Sequence, residues 1–366
     1  MVKVLGRRRT RTLTALVLLA ATGTLTACSD GPATASTAGS ASTASPHIAF
    51  LAEKTSLRYE ASDVPNFQID VAKSCPGCTV DVYFASTQDE QNQQASKALS
   101  DGATVLVVAP KDSAGAATIA QQATSGGAKV ISYDSLIKGS AIDAFVTFDS
   151  GKVGAIGAQA VLDAKPAPGA VVVELDGDAG NSNAAWVASG AKSVLDGKIT
   201  TGFQAWVPEW SADNAEIAMK QAIQQLHGTP IAGVVGANDS IAKGAAKALR
   251  EAGWTGTLPP ISGQDADVAA MQRLLTGEQA VTAYKPMPQL AAAAADMALA
   301  LGRGEAVTTT TTTDNGAGAV PTTLLQPTAV TASNLATTVI ADKFTTVEAL
   351  CAGSASQACV TAGLRS

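Results

Sequence analysis

Ile231-Ala232-Gly233-Val234-Val235-Gly236-Ala237-Asn238-Asp239 is a run of small and β-branched apolar residues that stops at a carboxamide and a carboxylate. Four other runs end the same way. Thr104–Ala109 leads into Pro110-Lys111-Asp112, and Val130–Tyr133 into Asp134. Val171–Leu175 leads into Asp176-Gly177-Asp178, and Ile261–Gly263 into Gln264-Asp265. Short Val/Ile-rich runs between helical stretches read as parallel strands buried on both faces. Ligands of such sheets bind in the crevice outside the carboxyl ends of the strands. The polar groups therefore collect where a small, hydroxyl-rich molecule can be gripped.

Outward from these runs, strands are predicted at His47–Ala52, Thr79–Ala85, Thr104–Ala109, Lys129–Tyr133, Ala170–Leu175, Ile199–Val207, Ile231–Ala237, Leu258–Gly263 and Gln279–Tyr284. Ala-rich helical stretches lie between them: Gln91–Ser100, Ala114–Thr124, Gly154–Asp163, Asn183–Leu195, Asn214–Gln225 and Ser240–Glu251. Alternation of this kind implies an α/β fold with helices on both faces of parallel sheets. About 300 residues are available for it, enough for two domains. Aromatic residues make up only 4% of the chain, so Val, Ile, Leu and Ala must fill the core.

Residues 1–27 read as a targeting segment. Lys3, Arg7, Arg8, Arg9 and Arg11 precede a short apolar stretch, Leu13–Thr24, too short to span a bilayer as a stable helix. Leu25-Thr26-Ala27-Cys28 resembles a bacterial lipobox, whose cysteine is lipidated and becomes the mature N-terminus. An ordinary signal peptide with a chance cysteine is the alternative. Residues 28–46 are the cysteine and a Ser/Thr/Ala/Gly tether that buries too little apolar area to fold. As a flexible coil the tether reaches roughly 23 Å.

Removing residues 1–27 takes away five basic residues and no acidic ones, leaving 20 against 31 and a charge of −11 in place of −6. So acidic a chain argues against nucleic acid or an anionic lipid surface as partner. Besides Cys28, the cysteines form two local pairs, Cys75/Cys78 and Cys351/Cys359, which in an oxidising compartment are expected to be disulfides. Cys75-Pro76-Gly77-Cys78 also has redox spacing. It falls on a helix-to-strand turn rather than at a helix N-terminus, so a structural clip is expected. Only His47 and His227 offer imidazole, so no metal site is expected.

No nucleophile elbow, P-loop, zinc-protease or dinucleotide fingerprint is present. His227 precedes Gly228 at a predicted helix end, where a solvated cation suits the helix dipole. No cofactor is expected.

Ile131-Ser132-Tyr133-Asp134, Ala237-Asn238-Asp239, Ser262-Gly263-Gln264-Asp265-Ala266-Asp267 and Ala283-Tyr284-Lys285-Pro286 occur in this order. Together they resemble the sugar-binding proteins of bacterial ABC importers, the xylose-binding type above all, over about His47 to Phe344. The resemblance implies the type I periplasmic binding protein fold: two Rossmann-like lobes with parallel sheets, joined by three hinge strands and closing on one sugar. The crossings are expected near Thr147–Ser150, Val281–Pro286 and Gly316–Thr322, with Thr308–Thr313 a short strand. The first lobe is then 47–148 plus 286–318 and the second 149–285 plus 319–350. Residues 351–366 form a tail with the last cysteine pair.

The same resemblance assigns the ligand residues. Arg58-Tyr59 matches an Arg-aromatic pair that usually ends in Trp; a solvated loop arginine is the alternative. Asp134 matches a ligand carboxylate, although Ser135 stands where the family often has Arg. In Asn181-Ser182-Asn183-Ala184, Asn183 and then Asn181 are expected to meet the ligand, and either could cap the following helix. In Trp206-Val207-Pro208-Glu209-Trp210, Trp210 is the expected stacking platform and Trp206 a core residue. Asn238 and Asp265 take hydroxyl-binding positions. Lys285 donates to the ligand or ties the hinge by a salt bridge. Trp254 reads as packing or surface.

Carboxylates and carboxamides suit sugar hydroxyls because they pair with vicinal donors and acceptors, while Arg and Lys donate. The expected function is capture of a monosaccharide, a pentose such as xylose or a similar aldose, by a monomer that passes it to an ABC permease with its ATPase. The membrane is contacted through the lipid anchor only. A sensor presenting its closed form to a membrane receptor differs only in partner. A carbohydrate-active enzyme is kept open by the many carboxylates. A repressor core of the same fold would need a DNA-binding helix pair and no export signal.

Overall fold

A computed structural model describes residues 45–54 and 58–365; the targeting segment, Cys28 and most of the tether lie outside the described residues. In chain order, the first sheet receives β1 (His47–Glu53), β2 (Thr79–Ala85), β3 (Val105–Val108), β4 (Lys129–Tyr133) and β5 (Ala144–Phe148). Helices α1 (Val64–Ser74), α2 (Gln88–Ser100) and α3 (Ala117–Ser125) connect them. After α4 (Ser150–Asp163), the second lobe alternates β6 (Val171–Asp176), α5 (Ser182–Leu195), β7 (Thr200–Trp206), α6 (Ala212–Gln225), β8 (Ile231–Gly236) and α7 (Asp239–Glu251). It continues with β9 (Ser262–Gln264), α8 (Val268–Thr276) and β10 (Val281–Tyr284). Then come α9 (Met287–Gly302), β11 (Thr311–Asp314), β12 (Ala319–Leu325) and β13 (Thr328–Val330).

The first sheet runs β11-β12-β5-β4-β3-β1-β2. In the second lobe, β7-β6-β8 and β13-β10-β9 are linked by a parallel bridge between Val234 and Ile261. Both lobes therefore repeat one order, second strand, first, third, fourth, fifth. In each, the chain reverses direction beside its first strand, which is where a doubly wound sheet opens a crevice. The central strands explain themselves: Val105–Val108 is wholly buried, as a parallel strand covered on both faces must be.

The chain passes between lobes at Phe148–Ser150, at Tyr284–Met287 and at Leu325–Thr328. The third crossing corrects the expectation of Gly316–Thr322. β12 pairs in parallel with β5, Thr322 opposite Phe145, so 319–325 belongs to the first lobe. It was masked in the sequence by Thr-rich composition, whose partner strand is remote. The expected boundary at 350 is also absent. Cys351 and Cys359 are buried in one apolar cluster with Leu335 and Leu350, continuous with the second lobe. Both expected cysteine pairs are bonded: Cys75 to Cys78 on the turn from α1 to β2, and Cys351 to Cys359. Trp206 is 47% exposed rather than core, because β7 is an edge strand and that residue points outward.

Helices α4 and α5 approach closely through small residues. A methyl group on Gly154 would collide with the Val187 carbonyl, and one on Gly190 with the Gly151 backbone. Since the obstacle is backbone, it cannot rotate aside. Gly154→Ala is expected to lower stability by about 1–3 kcal/mol, measured as a lower denaturant midpoint with unchanged slope.

Candidate functional site

Arg58 enters from the loop after β1 and starts a single wide turn, Tyr59–Asp63, that runs into α1. Its side chain is only 16% exposed, which excludes a solvated loop role. Arg58 Nη2 lies 2.9 Å from Asp63 Oδ1 and 3.5 Å from Asp134 Oδ2, and Nη1 lies 3.8 Å from Asp265 Oδ1. The guanidinium carbon sits 4.8 Å over the Tyr59 ring. Tyr133 and Arg58 both donate to Asp63 Oδ1, at 2.7 and 2.9 Å. The Tyr59 hydroxyl donates to Asp134 Oδ2 at 3.2 Å.

These contacts fix the charges. Burial alone would make Arg58 easier to deprotonate, but Asp134 and Asp63 outweigh it and hold the group firmly cationic. Burial would raise Asp134, yet Arg58 and Lys285 keep it below the usual carboxylate range. Asp63 goes the other way: burial raises it against the pull of Arg58.

The second lobe contributes helix caps. Asn181 caps α5 by accepting from Asn183 N at 2.9 Å, and Asn238 caps α7 by accepting from Ile241 N at 2.8 Å. Asn183 reaches across the lobes: its Nδ2 donates to the Asp134 carbonyl at 3.1 Å. Asn183 Oδ1 and Arg58 Nε are buried without a hydrogen-bond partner from the chain. Such groups are costly unless a ligand or solvent satisfies them.

Trp210 ends a short turn in which Glu209 and Trp210 both have positive φ, 58° and 53°. Asp178 Oδ2 accepts from Glu209 N at 2.7 Å, and Asn214 Nδ2 donates to the Pro208 carbonyl at 3.0 Å. The indole lies against Gly177, where any side chain would collide with the ring. Asp134 and Asp265 are also left-handed, at 62° and 94°. Strain of this kind costs on the order of 1–3 kcal/mol per residue and clusters at functional sites. Lys285 Nζ lies 2.8 Å from Asp265 Oδ1, a salt bridge of the kind given as its alternative role, and Lys285 also faces the cavity. Beneath them, Asp239 accepts from Gln279 Nε2 at 2.7 Å and Thr282 Oγ1 at 2.9 Å. Burial, followed by Asp267 and Asp265, pushes its carboxyl well above the ordinary range.

Arg58, Tyr59, Asp134, Asn181, Asn183, Trp210, Asn238, Asp265 and Lys285 all line one cavity of about 360 Å³ between the lobes. The lining is completed by Glu53, Glu209, Ser240 and Asp267, which sequence reasoning missed, and by Gln264, which it placed at a strand end without a ligand role. Glu53 ends β1, so the strand-end rule that found the other carboxylates would have found it. Among the described residues, no histidine or cysteine lines the cavity. Its buried carboxylate, Asp134, is held ionised, the opposite of what a glycosidase general acid requires.

The family described as "Periplasmic binding protein domain" matches residues 58–306. The chain is 35% identical to the D-xylose-binding periplasmic protein of Haemophilus influenzae over 280 residues, 75% of this chain and 83% of that one. It is 35% identical to the Escherichia coli D-xylose-binding periplasmic protein over 274 residues, 73% of this chain and 82% of that one. A solved ABC transporter solute-binding protein of Clostridium phytofermentans with bound β-D-glucose superposes with a TM-score of 0.74 at 29% identity, covering 83% of this chain and 99% of that one. The chain therefore belongs to the periplasmic binding protein family, has its type I fold, and is a binding protein rather than an enzyme.

Asp176, under the Trp210 turn, gives the site's support a pH dependence. Its Oδ2 accepts from Gln204 Nε2 at 2.7 Å, and burial pushes its carboxyl up to about 6 despite that bond. An acid harder to ionise when folded costs nothing below the unfolded pKa and destabilises progressively as pH rises toward 6. The cost then levels off at about 3 kcal/mol. Asp176→Asn should raise the melting temperature at pH 7.5 and flatten the decline in stability between pH 4 and 6, followed by thermal scans across that range.

Proposed function

Starting from that membership, we propose that the chain is an extracytoplasmic sugar-binding lipoprotein that captures a monosaccharide between its lobes and delivers it to an ABC permease with its ATPase. The ligand is a pentose such as xylose or a similar aldose. The observation that carries this reading is the cavity itself, with two aromatic side chains, two cations, several carboxylates and carboxamides, and contributions from both lobes. Trp210 supplies a platform for the C–H face of a sugar ring. Asn183, Asn238, Asp134 and Asp265 pair with hydroxyls, while Arg58 and Lys285 donate. Unmatched hydroxyls would leave these groups unpaired, which is how such a site discriminates among sugars.

Only a closed form lets residues of both lobes contact the same sugar, so the ligand shifts the population toward closure. The protein acts as a monomer, needs no cofactor, and is held at the outer face of the cytoplasmic membrane through lipid on Cys28. The names of the relatives, two of them D-xylose-binding, support the pentose assignment.

A thermal-shift panel of pentoses, hexoses and polyols tests the ligand class: stabilisation by an aldopentose supports it, and a response to polyols alone refutes it. Trp210→Ala should weaken sugar binding by about a hundredfold, from loss of about 3 kcal/mol, while the melting temperature of the free protein moves by only a few degrees. Retained affinity in calorimetry would remove the platform assignment. Cys28→Ser should shift the protein from the membrane fraction to the soluble one.

A further inference from the structure

The chain beyond β13 folds back under the second lobe as a turn at Ala336–Ile340 and two short helices, α10 (Val347–Leu350) and α11 (Ser356–Thr361). Among the described residues it adds no strand to either sheet. It is held by an apolar cluster and by the Cys351–Cys359 bridge, both of whose cysteines are buried. Gln272 of α8 ties it further, donating to the Leu350 carbonyl at 3.1 Å.

Two members of that cluster are chain neighbours of site residues. Ala266 follows Asp265, and Tyr284 precedes Lys285. Asp265 and Ala266 are consecutive left-handed residues, φ 94° and 56°. Such a turn persists only where its surroundings over-determine it. From one side its amides are tied to β10 and α7: Asp265 N donates to the Ala283 carbonyl at 3.0 Å, Ala266 N to Thr282 Oγ1 at 3.2 Å, and Asp267 N to Asp239 Oδ2 at 3.1 Å. From the other side, the Ala266 methyl is fully buried in the cluster that the C-terminal segment completes. The Tyr284 ring meets Phe344 edge-on with centroids 4.9 Å apart.

We propose that the C-terminal segment closed by Cys351–Cys359 is a positioning element: by packing on Ala266 and Tyr284 it fixes the Asp265–Lys285 pair and thereby sets ligand affinity. The affinity consequence rests on the sugar-binding reading; the positioning does not. Opening the bridge enlarges the segment's unfolded ensemble. Both anchors of the pair loosen together, and affinity becomes sensitive to thiol reductants. The Cys75–Cys78 bridge, in the other lobe, has no such effect.

The test uses the full chain without ligand. Amide hydrogen exchange is compared in the native protein, Cys351→Ser/Cys359→Ser, Phe344→Ala, Phe344→Leu and Cys75→Ser/Cys78→Ser. In the first double variant and in Phe344→Ala, the amides of Asp265, Ala266 and Asp267 should exchange about tenfold faster, as a local opening would give. Amides of β3 and β4 should be unchanged. Phe344→Leu should restore most of the protection, and the Cys75/Cys78 variant should retain it. Native exchange at those three amides in both perturbed variants overturns the proposal, as does a uniform rise across both lobes. Calorimetry with D-xylose and D-glucose adds the affinity readout: about tenfold weaker binding is expected, and unchanged affinity overturns the claim that the segment tunes the site. If neither sugar binds the native protein, the functional reading fails for those sugars, and the exchange data still decide the positioning.

Discussion

The guanidinium of Arg58 is surrounded by carboxylates of both lobes, and much of the architecture follows from keeping it satisfied. Asp63 and Asp134 approach from the first lobe and Asp265 from the second. A buried charge of this kind is tolerated only with close, well-oriented partners; removing one partner is far more damaging than replacing the whole set. Tyr133 and Tyr59 orient the two first-lobe carboxylates, and Lys285 offsets the third. Positive φ at Asp134 and Asp265 is the backbone cost of aiming them inward. An uncharged ligand entering this network meets preset charges of both signs and need not neutralise any of them.

Capping and presentation are one device here. Asn181, Asn238 and Asp267 satisfy free amides at the starts of α5, α7 and α8, and all three line the cavity. A parallel strand that feeds a helix through a short turn must place a polar, capping-competent residue at the turn. The same turn lies at the carboxyl edge of the sheet, where the crevice opens. Local helix chemistry thus explains why Asx residues occur at these places, and the pairing of two such edges makes them a site.

Much of this was legible before the structure. The alternation of Val-rich runs with Ala-rich stretches yields the α/β class, and their polar ends yield most of the cavity lining. What escaped had a physical reason. β5 is five residues long and abuts the first crossing, so Thr147 looked like hinge rather than strand. β12 contains Pro321 and three threonine or alanine positions, and its pairing with β5 is remote in sequence. Its place on a strand points Trp206 to the core, but an edge strand leaves one face uncovered. Asp63 gave no sign of its importance, since only the wide turn after Arg58 brings it beneath the guanidinium.

The pairing of β12 with β5 has a kinetic implication. The first lobe lacks helix α9, which covers β3, β4 and β5, until synthesis has passed Gly302, and lacks β12 until it has passed Leu325. Closing so long a loop adds entropy cost slowly with length but delays the rewarding contacts. The opening part of the chain therefore stays incomplete while the rest emerges, and its sheet locks only when this late strand docks.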